Sequence, residues 1–383
     1  MTRDCRGAVP HAGTTVAVAP VRVLQSHSSA SSGRGGTVGV TLRDVARAAG
    51  VSPATASRAL SAPDLVAPAR REHVQQVARE LGYRPNRAAR ELITGRTGNL
   101  CLVVPDLENP FFAAVAKGVQ ARARALGLAL LVADSEEDPR LEAELVAHLG
   151  AQVDGVILCS PRMPDLDLER LGREVLEDDV PLLLVNRPHE GLPSVVIDNT
   201  DGVRQAVAHL YALGHRRIGY AGGPVGSWSD SQRRRGLEHA SHGLRDIEVV
   251  DLGHFPPVFG GGVAAGDLVA AGGVTAVLAH NDLLALGILS RLRARGVAVP
   301  EQVSVVGYDD IPAATLVSPA LTTVTVPLAR LGRTAVDLLI EAGSARTTAP
   351  PSADPPGSVL IGVELVVRAS TGVAPARSSE ASG

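Results

Sequence analysis

Two rhythms of apolar and polar residues divide this chain. From Thr41 to Leu81 apolar side chains recur every three or four positions, the period of a helix with one buried face. Leu42, Val45, Ala46 and Ala49 define a first short helix, residues 53–60 a second, and Val74, Val77, Ala78 and Leu81 the core face of a third over 68–81. From Asn99 the pattern changes to short, continuous apolar runs. Those at 99–105, 128–133, 153–159, 181–186, 194–198, 217–223, 276–280 and 304–309 are expected strands. Amphipathic segments of helical length lie between most of them, for example 111–126 and 200–213. Continuous apolar strands alternating with helices imply parallel sheets covered on both faces. The stretch is too long for one sheet of usual size, so two lobes are expected. The fold class is therefore α/β: a small all-α head, then a two-lobed body with parallel sheets.

Local chemistry sharpens the first rhythm. Thr41 suits the cap of the first helix, Gly50 the left-handed residue that ends it, and Ser52-Pro53 a capped restart. The second helix presents Pro53, Ala54, Thr55, Ser57 and Arg58, small or polar apart from one arginine, the profile of a helix that enters a DNA major groove. A proline at 85 breaks the chain after the third helix. Residues 87–92 then have room for little more than one helical turn, too short to be stable alone. Residues 1–38 are rich in Gly, Ser, Thr and Ala without period and read as disordered, as does the tail beyond 371.

Charge supports the same division. The whole chain is nearly balanced, at −3, but residues 39–97 carry ten Arg, no Lys and five acidic groups, about +5, against about −11 over 98–383. A basic head on an acidic body fits a DNA reader joined to a regulatory domain. Cys5, Cys101 and Cys159 have no metal or disulfide spacing, which fits a reducing cytoplasm. No apolar run approaches the ~18 residues of a membrane span, and Pro10, Pro20 and Arg22 interrupt any signal-peptide core. No G-x-S-x-G, H-E-x-x-H or P-loop pattern occurs, so no enzyme chemistry and no cofactor or metal is expected. The glycine-rich stretch 260–266 follows two prolines rather than a strand and is expected to be a loop entering a helix.

In open parallel sheets, ligands bind beyond the carboxyl ends of the strands. That rule selects Asp106, Asn109, Phe111 and Phe112; Asn186 and Arg187; the loop 223–230 with Ser229, then Arg233; Phe255; Asn281 and Asp282; and Tyr308, Asp309 and Asp310. Asn186, Asn281, Asp309 and Arg233 can serve several hydroxyls of one ligand, while Phe111, Phe112 and Phe255 offer apolar faces. The chain is only 2% aromatic, so rings gathered at strand ends carry information, and the set suits a sugar. Some of these residues have a scaffold role open to them: Asp282 as a helix cap, Phe112 and Tyr308 in the core, Arg187 paired with an acidic neighbour.

The stretch TLRDVARAAGVSPATASR, together with DLENPFF, VNRP, the spacing of Ser229, Arg233 and Gly236, HND and GYDD, resembles the lactose-repressor (LacI/GalR) family of bacterial transcription regulators. The resemblance implies a periplasmic-binding-protein type 1 body that binds effector through Phe111, Phe112, Asn186, Ser229, Arg233, Phe255, Asn281 and Asp309, and crosses between lobes near 198, 326 and 356. It implies DNA contacts from the head, at Thr41, Pro53, Ala54, Thr55, Ser57 and Arg58, and from Arg84, Asn86, Arg87 and Leu92. In the family the segment holding Leu92 folds on DNA, where two copies pair and wedge the minor groove. Relatives that bind purines carry arginine at the position of Ser227, which points away from a nucleobase effector here. The family usually caps the third helix with Ser or Thr, where this chain has Ala67, so its first turn is expected to fray. The tail lacks the leucine heptads used for tetramers. The expectation is a cytoplasmic repressor, homodimeric on double-stranded, pseudo-palindromic DNA, controlled by a sugar or similar small polar effector. Its segments are a disordered extension over 1–38, a helix-turn-helix domain over 39–85, a hinge over 86–97, an effector and dimerisation domain over 98–371, and a tail over 372–383.

Overall fold

The computed structural model describes residues 40–61, 63–83, 96–177, 180–348 and 357–376. The chain forms two compact units, a head up to residue 85 and a body from residue 86. Most of the expected hinge, with Arg84, Asn86, Arg87 and Leu92, lies outside the described residues, as do the expected extension over 1–38 and residues 377–383.

The head holds α1 (Leu42–Ala48), α2 (Pro53–Ser61) and α3 (Pro68–Glu80). Thr41 and Asp44 form a reciprocal capping box that satisfies two free N–H groups of α1. Gly50 takes φ +63, the left-handed geometry that a side chain would strain. Ser52 Oγ then accepts from Thr55 N at 3.1 Å and starts α2. Val45, Ala46, Ala49, Ala56, Ala59, Val74 and Ala78 form the core, with Val77 and Tyr83 packed against it. Leu81, expected on that face, is the exposed C-cap of α3 instead. α3 begins at Pro68 without a side-chain cap, as Ala67 dictates.

The body has two six-stranded sheets. Lobe 1 contains β1 (Asn99–Val104), α4 (Pro110–Ala125), β2 (Ala129–Asp134), α5 (Pro139–Gly150), β3 (Val156–Cys159), α6 (Asp165–Glu177), β4 (Leu182–Val185) and β5 (Ser194–Ile197). Lobe 2 contains α7 (Asn199–Ala212), β6 (Arg217–Gly222), α8 (Trp228–His242), β7 (Glu248–His254), α9 (Phe259–Ala271), β8 (Ala276–Ala279), α10 (Asp282–Ala294), β9 (Ser304–Asp309), α11 (Ala313–Leu316) and β10 (Thr322–Thr325). α12 (Leu328–Thr348) and β11 (Ser358–Ile361) return to lobe 1, and β12 (Glu364–Val366) ends in lobe 2. The strand orders are β11-β5-β4-β3-β1-β2 and β12-β10-β9-β8-β6-β7, parallel throughout except for β12 against β10. Asp154 receives Thr97 N at 2.6 Å and Gly98 N at 2.9 Å, which pins the start of β1.

Several expectations change. The third crossing falls at 362–363 rather than near 356, because β11 first pairs with β5. Residues 260–266 are not a loop but the first turns of α9. An added Cβ on Gly262 would overlap the Leu284 carbonyl oxygen, and one on Gly287 that of Phe259. The glycines therefore let α9 and α10 touch backbone to backbone. The start of the expected tail is held in place: Gly372 O lies 3.1 Å from His215 Nε2, and Ala374 N donates to Leu213 O at 2.9 Å.

Candidate ligand and nucleic-acid sites

On the head, Pro53, Ala54 and Arg58 of α2 are exposed, and Thr55 and Ser57 half-buried. Ala54 and Arg58, four residues apart, share one face. Thr55 Oγ1 lies 2.8 Å from Ser52 Oγ. The Thr41 hydroxyl is committed to the cap, donating to Asp44 Oδ2 at 2.7 Å. α2 thus offers a short-side-chain surface from which one guanidinium projects.

The body encloses a cavity lined by strand ends of both lobes: Asn109, Phe111 and Phe112 beyond β1, Glu137 beyond β2, Ser160 and Arg162 beyond β3, Asn186 beyond β4, and from lobe 2 Ser229, Arg233, Pro257, His280, Asn281 and Asp309. Phe111, Phe112, Asn186, Ser229, Arg233, Asn281 and Asp309 of the expected effector set are thus brought together. Phe255 is not among them; it packs half-buried on the lobe 2 core, and Pro257 forms the wall there. The cavity volume is about 30 Å³.

Arg233 is the centre of this site. It is 4% exposed; its Nε donates to Asn199 Oδ1 at 3.0 Å and its Nη1 to the His280 carbonyl oxygen. Nη2 lies 3.8 Å from Asp309 Oδ1, and the guanidinium carbon 3.6 Å above the ring centroid of Tyr308. Tyr308 is thus a core ring that supports Arg233. Burial drives the Asp309 carboxyl well up, with Arg233 opposing. Asn199 Nδ2 donates to Asn186 Oδ1 at 2.9 Å, and Asn186 Nδ2 to Ser160 Oγ at 3.3 Å. A continuous polar chain, Ser160–Asn186–Asn199–Arg233–Asp309, therefore joins the two lobes across the cleft.

The surrounding scaffold reassigns two roles. Asn281, not Asp282, caps α10, accepting from Leu284 N at 2.9 Å, while its Nδ2 donates to Pro257 O at 2.9 Å. Asp282 instead accepts from Ile311 N at 2.8 Å and Thr323 Oγ1 at 2.5 Å. It thereby holds the turn where Asp309 and Asp310 adopt φ +110 and +58. Burial pushes Asp282 up to about 7. Arg187 lies away from the cavity, paired with Asp165 at 2.7 Å. Asp230 accepts from Tyr220 Oη and Gly223 N, each at 2.7 Å, and from Arg234 Nε at 2.8 Å, with His280 Nδ1 3.2 Å away. Burial works against its charge, but His280, Gly223 and Arg234 hold its carboxyl below the usual range. His280 is driven down to about 4 by burial and by Arg233, with Asp230 opposing.

Glu137, Ser160, Arg162 and Pro257 were not singled out by the sequence. The strand-end rule would have found the first three had it been applied to the runs ending at 133 and 159. Among the described residues no His, Cys, Asp and Glu cluster could hold a metal, and no helix is long and apolar enough to cross a membrane.

A model of the bacterial regulatory proteins of the lacI family matches residues 41–86, and one of periplasmic binding protein-like domains matches residues 207–371. The chain is 32% identical over 348 residues to the HTH-type transcriptional repressor CytR of Escherichia coli (strain K12), covering 88% of this chain and 97% of that protein. The lac repressor dimer bound to operator and the anti-inducer ONPF superposes with TM-score 0.76 at 28% identity, covering 87% of this chain and 99% of that one. The complex of the transcriptional regulator CelR with cellobiose gives TM-score 0.62 at 34% identity, over 86% and 99%.

Proposed function

The chain belongs to the lacI family of bacterial regulatory proteins, and we propose that it is a cytoplasmic, homodimeric repressor that reads a pseudo-palindromic operator and is controlled by a sugar. It is a DNA-binding regulator and not an enzyme. The observation that carries the sugar-controlled reading is the cavity lined from both lobes by polar side chains and two phenylalanines, on the same chain as a capped helix-turn-helix. The relatives support the rest: one solved dimer holds operator, and another regulator holds cellobiose.

In this reading α2 lies in the major groove. Arg58 pairs with a guanine edge, worth roughly 1–3 kcal/mol of discrimination, and Pro53 and Ala54 meet thymine methyls. Thr55 and Ser57 meet phosphates or bases, while Arg84, Asn86 and Arg87 hold phosphates, which fix register without reading sequence; Thr41 acts through the cap of α1. Leu92 wedges between base steps when two hinges pair. Sugar enters between the lobes, where Phe111 and Phe112 face its C–H surface and Asn186, Ser229, Arg233, Asn281 and Asp309 meet its hydroxyls. The lobe arrangement that sugar favours differs from the one that lets the hinges pair, and that difference is the coupling.

Titration of a palindromic duplex, obtained by selection from random DNA, tests the reading. Affinity should fall steeply with added salt, and the palindrome should outcompete random duplex by about 10³-fold or more. Equal affinity for both contradicts it. Leu92→Ala should weaken the palindrome complex while sugar affinity stays native; equal loss of both would make 87–92 a plain linker.

A further inference from the structure

Glu137 follows β2 and Arg162 follows β3, and β1 lies between those strands in the sheet. The two side chains meet over the end of β1, where both line the cavity. Arg162 Nη2 donates to Glu137 Oε1 at 2.9 Å and Nε donates to Oε2, a bidentate pair. Nη1 donates to Ser160 O at 2.8 Å. The guanidinium is 9% exposed and its partner 27%. The Glu137 N–H is tied to Pro105 O at 2.8 Å, so the carboxylate is held from its own backbone. On the opposite wall Arg233 faces Asp309. Each arginine that reaches the cavity therefore has a carboxyl group beside it, in bidentate contact at Arg162 and 3.8 Å away at Arg233.

A cation that no carboxylate has already neutralised captures phosphate more tightly, because charge-assisted bonds to the anion must offset its desolvation. A phosphorylated sugar entering this cavity would bring its charge against Glu137 with the matching guanidinium already engaged. A neutral sugar meets no such cost. Arg162 uses three of its five N–H donors on Glu137 and Ser160, which leaves donors for hydroxyls. We propose that Glu137 and Arg162 act as a charge filter that restricts the effector to uncharged, unphosphorylated sugars. Glu137 is the specificity-determining residue of the pair because it cancels the guanidinium. The proposal rests on the reading of the effector as a sugar.

The test is isothermal titration of the full chain with matched ligands: glucose and glucose 6-phosphate, ribose and ribose 5-phosphate, cellobiose and its 6′-phosphate. The native chain should bind an unphosphorylated member at least about tenfold more tightly than its phosphate. Glu137→Gln keeps the side-chain size, frees the Arg162 charge, and should shrink that ratio by about tenfold. Arg162→Gln should move it the other way, leaving Glu137 uncompensated and the phosphates still more strongly rejected. A phosphate that binds better than its parent sugar, or a ratio that neither variant moves, overturns the filter and leaves the sugar-controlled repressor standing. If no sugar of either kind binds while operator affinity is intact, the sugar reading fails and the filter with it.

Discussion

Arg233 is fixed before any ligand arrives, by Asn199 on Nε, the His280 carbonyl on Nη1 and the Tyr308 ring below it. Asn199 is 1% exposed and sits at the first crossing between lobes. Asn199→Ala strands Arg233 Nε and Asn186 Oδ1, each buried, at about 1–3 kcal/mol for an unsatisfied group. Calorimetry should show weaker sugar binding together with a lower melting temperature; native sugar affinity would deny Asn199 its positioning role. A second buried group sets a pH dependence. Burial pushes Glu142 from its ordinary 4.5 up to about 7, against the Met163 and Arg162 N–H groups that its Oε2 accepts from. Between those pH values the folded chain keeps a proton that the unfolded chain has lost, so this residue's contribution to stability falls as pH rises through the window. Glu142→Gln carries no charge, so its melting temperature should gain on the native chain from about pH 4.5 to pH 7; a constant difference would contradict this. Asp309 was legible in the sequence as a charged residue closing an apolar run, and Arg233 through its spacing from Ser229 and Gly236. Asn199 was not, since nothing in its neighbourhood distinguishes a lobe-bridging amide from any polar residue after a strand.

Helices α9 and α10 show what pattern reading misses at the next scale. Gly260 to Gly266 look like a loop because glycine weakens helices, yet tertiary packing overrides that tendency where two helices must touch. Gly262→Leu should drive α9 off α10 and cost about 1–3 kcal/mol or more, read as a lowered urea midpoint; a variant as stable as the native chain would remove the close-contact explanation. Strands followed the same logic. The apolar runs read as strands all form strands, but β7, β10, β11 and β12 were not singled out, although β11 (SVLI) is as apolar as β5 (SVVI). β10 is threonine-rich and still almost wholly buried, because Thr322 and Thr323 hydrogen-bond to Thr371, Arg368 and Asp282 instead of relying on apolar contact. β7 lies at a sheet edge and is largely solvent-facing. The caps of the head were fully readable, since Thr41, Gly50 and Ser52 act within a few residues of themselves. The cap of α10 was misread by one residue, because only the distant Ile311 and Thr323 reveal what Asp282 holds.

At the scale of the whole molecule, a chain that passes three times between two parallel-sheet lobes makes one cavity from residues far apart in sequence. The period of apolar runs exposed the two lobes, and charge asymmetry exposed the basic head. The cross-lobe chain from Ser160 to Asp309 became visible only once the strand ends were brought together. Its consequence is that a ligand between the lobes competes with, or adds to, the polar contacts that set how the lobes stand. Such coupling is typically worth about 1–3 kcal/mol, or roughly 5–150-fold in affinity. The most direct test is the anisotropy titration of a selected palindromic operator, with and without a saturating sugar identified by thermal shift, for the native chain and for Asp309→Ala. A sugar-dependent change of that size is expected in the native chain and absent in Asp309→Ala, with sugar-free operator affinity the same in both. Operator affinity that no bound sugar alters, or a response that survives intact in Asp309→Ala, would contradict the coupling.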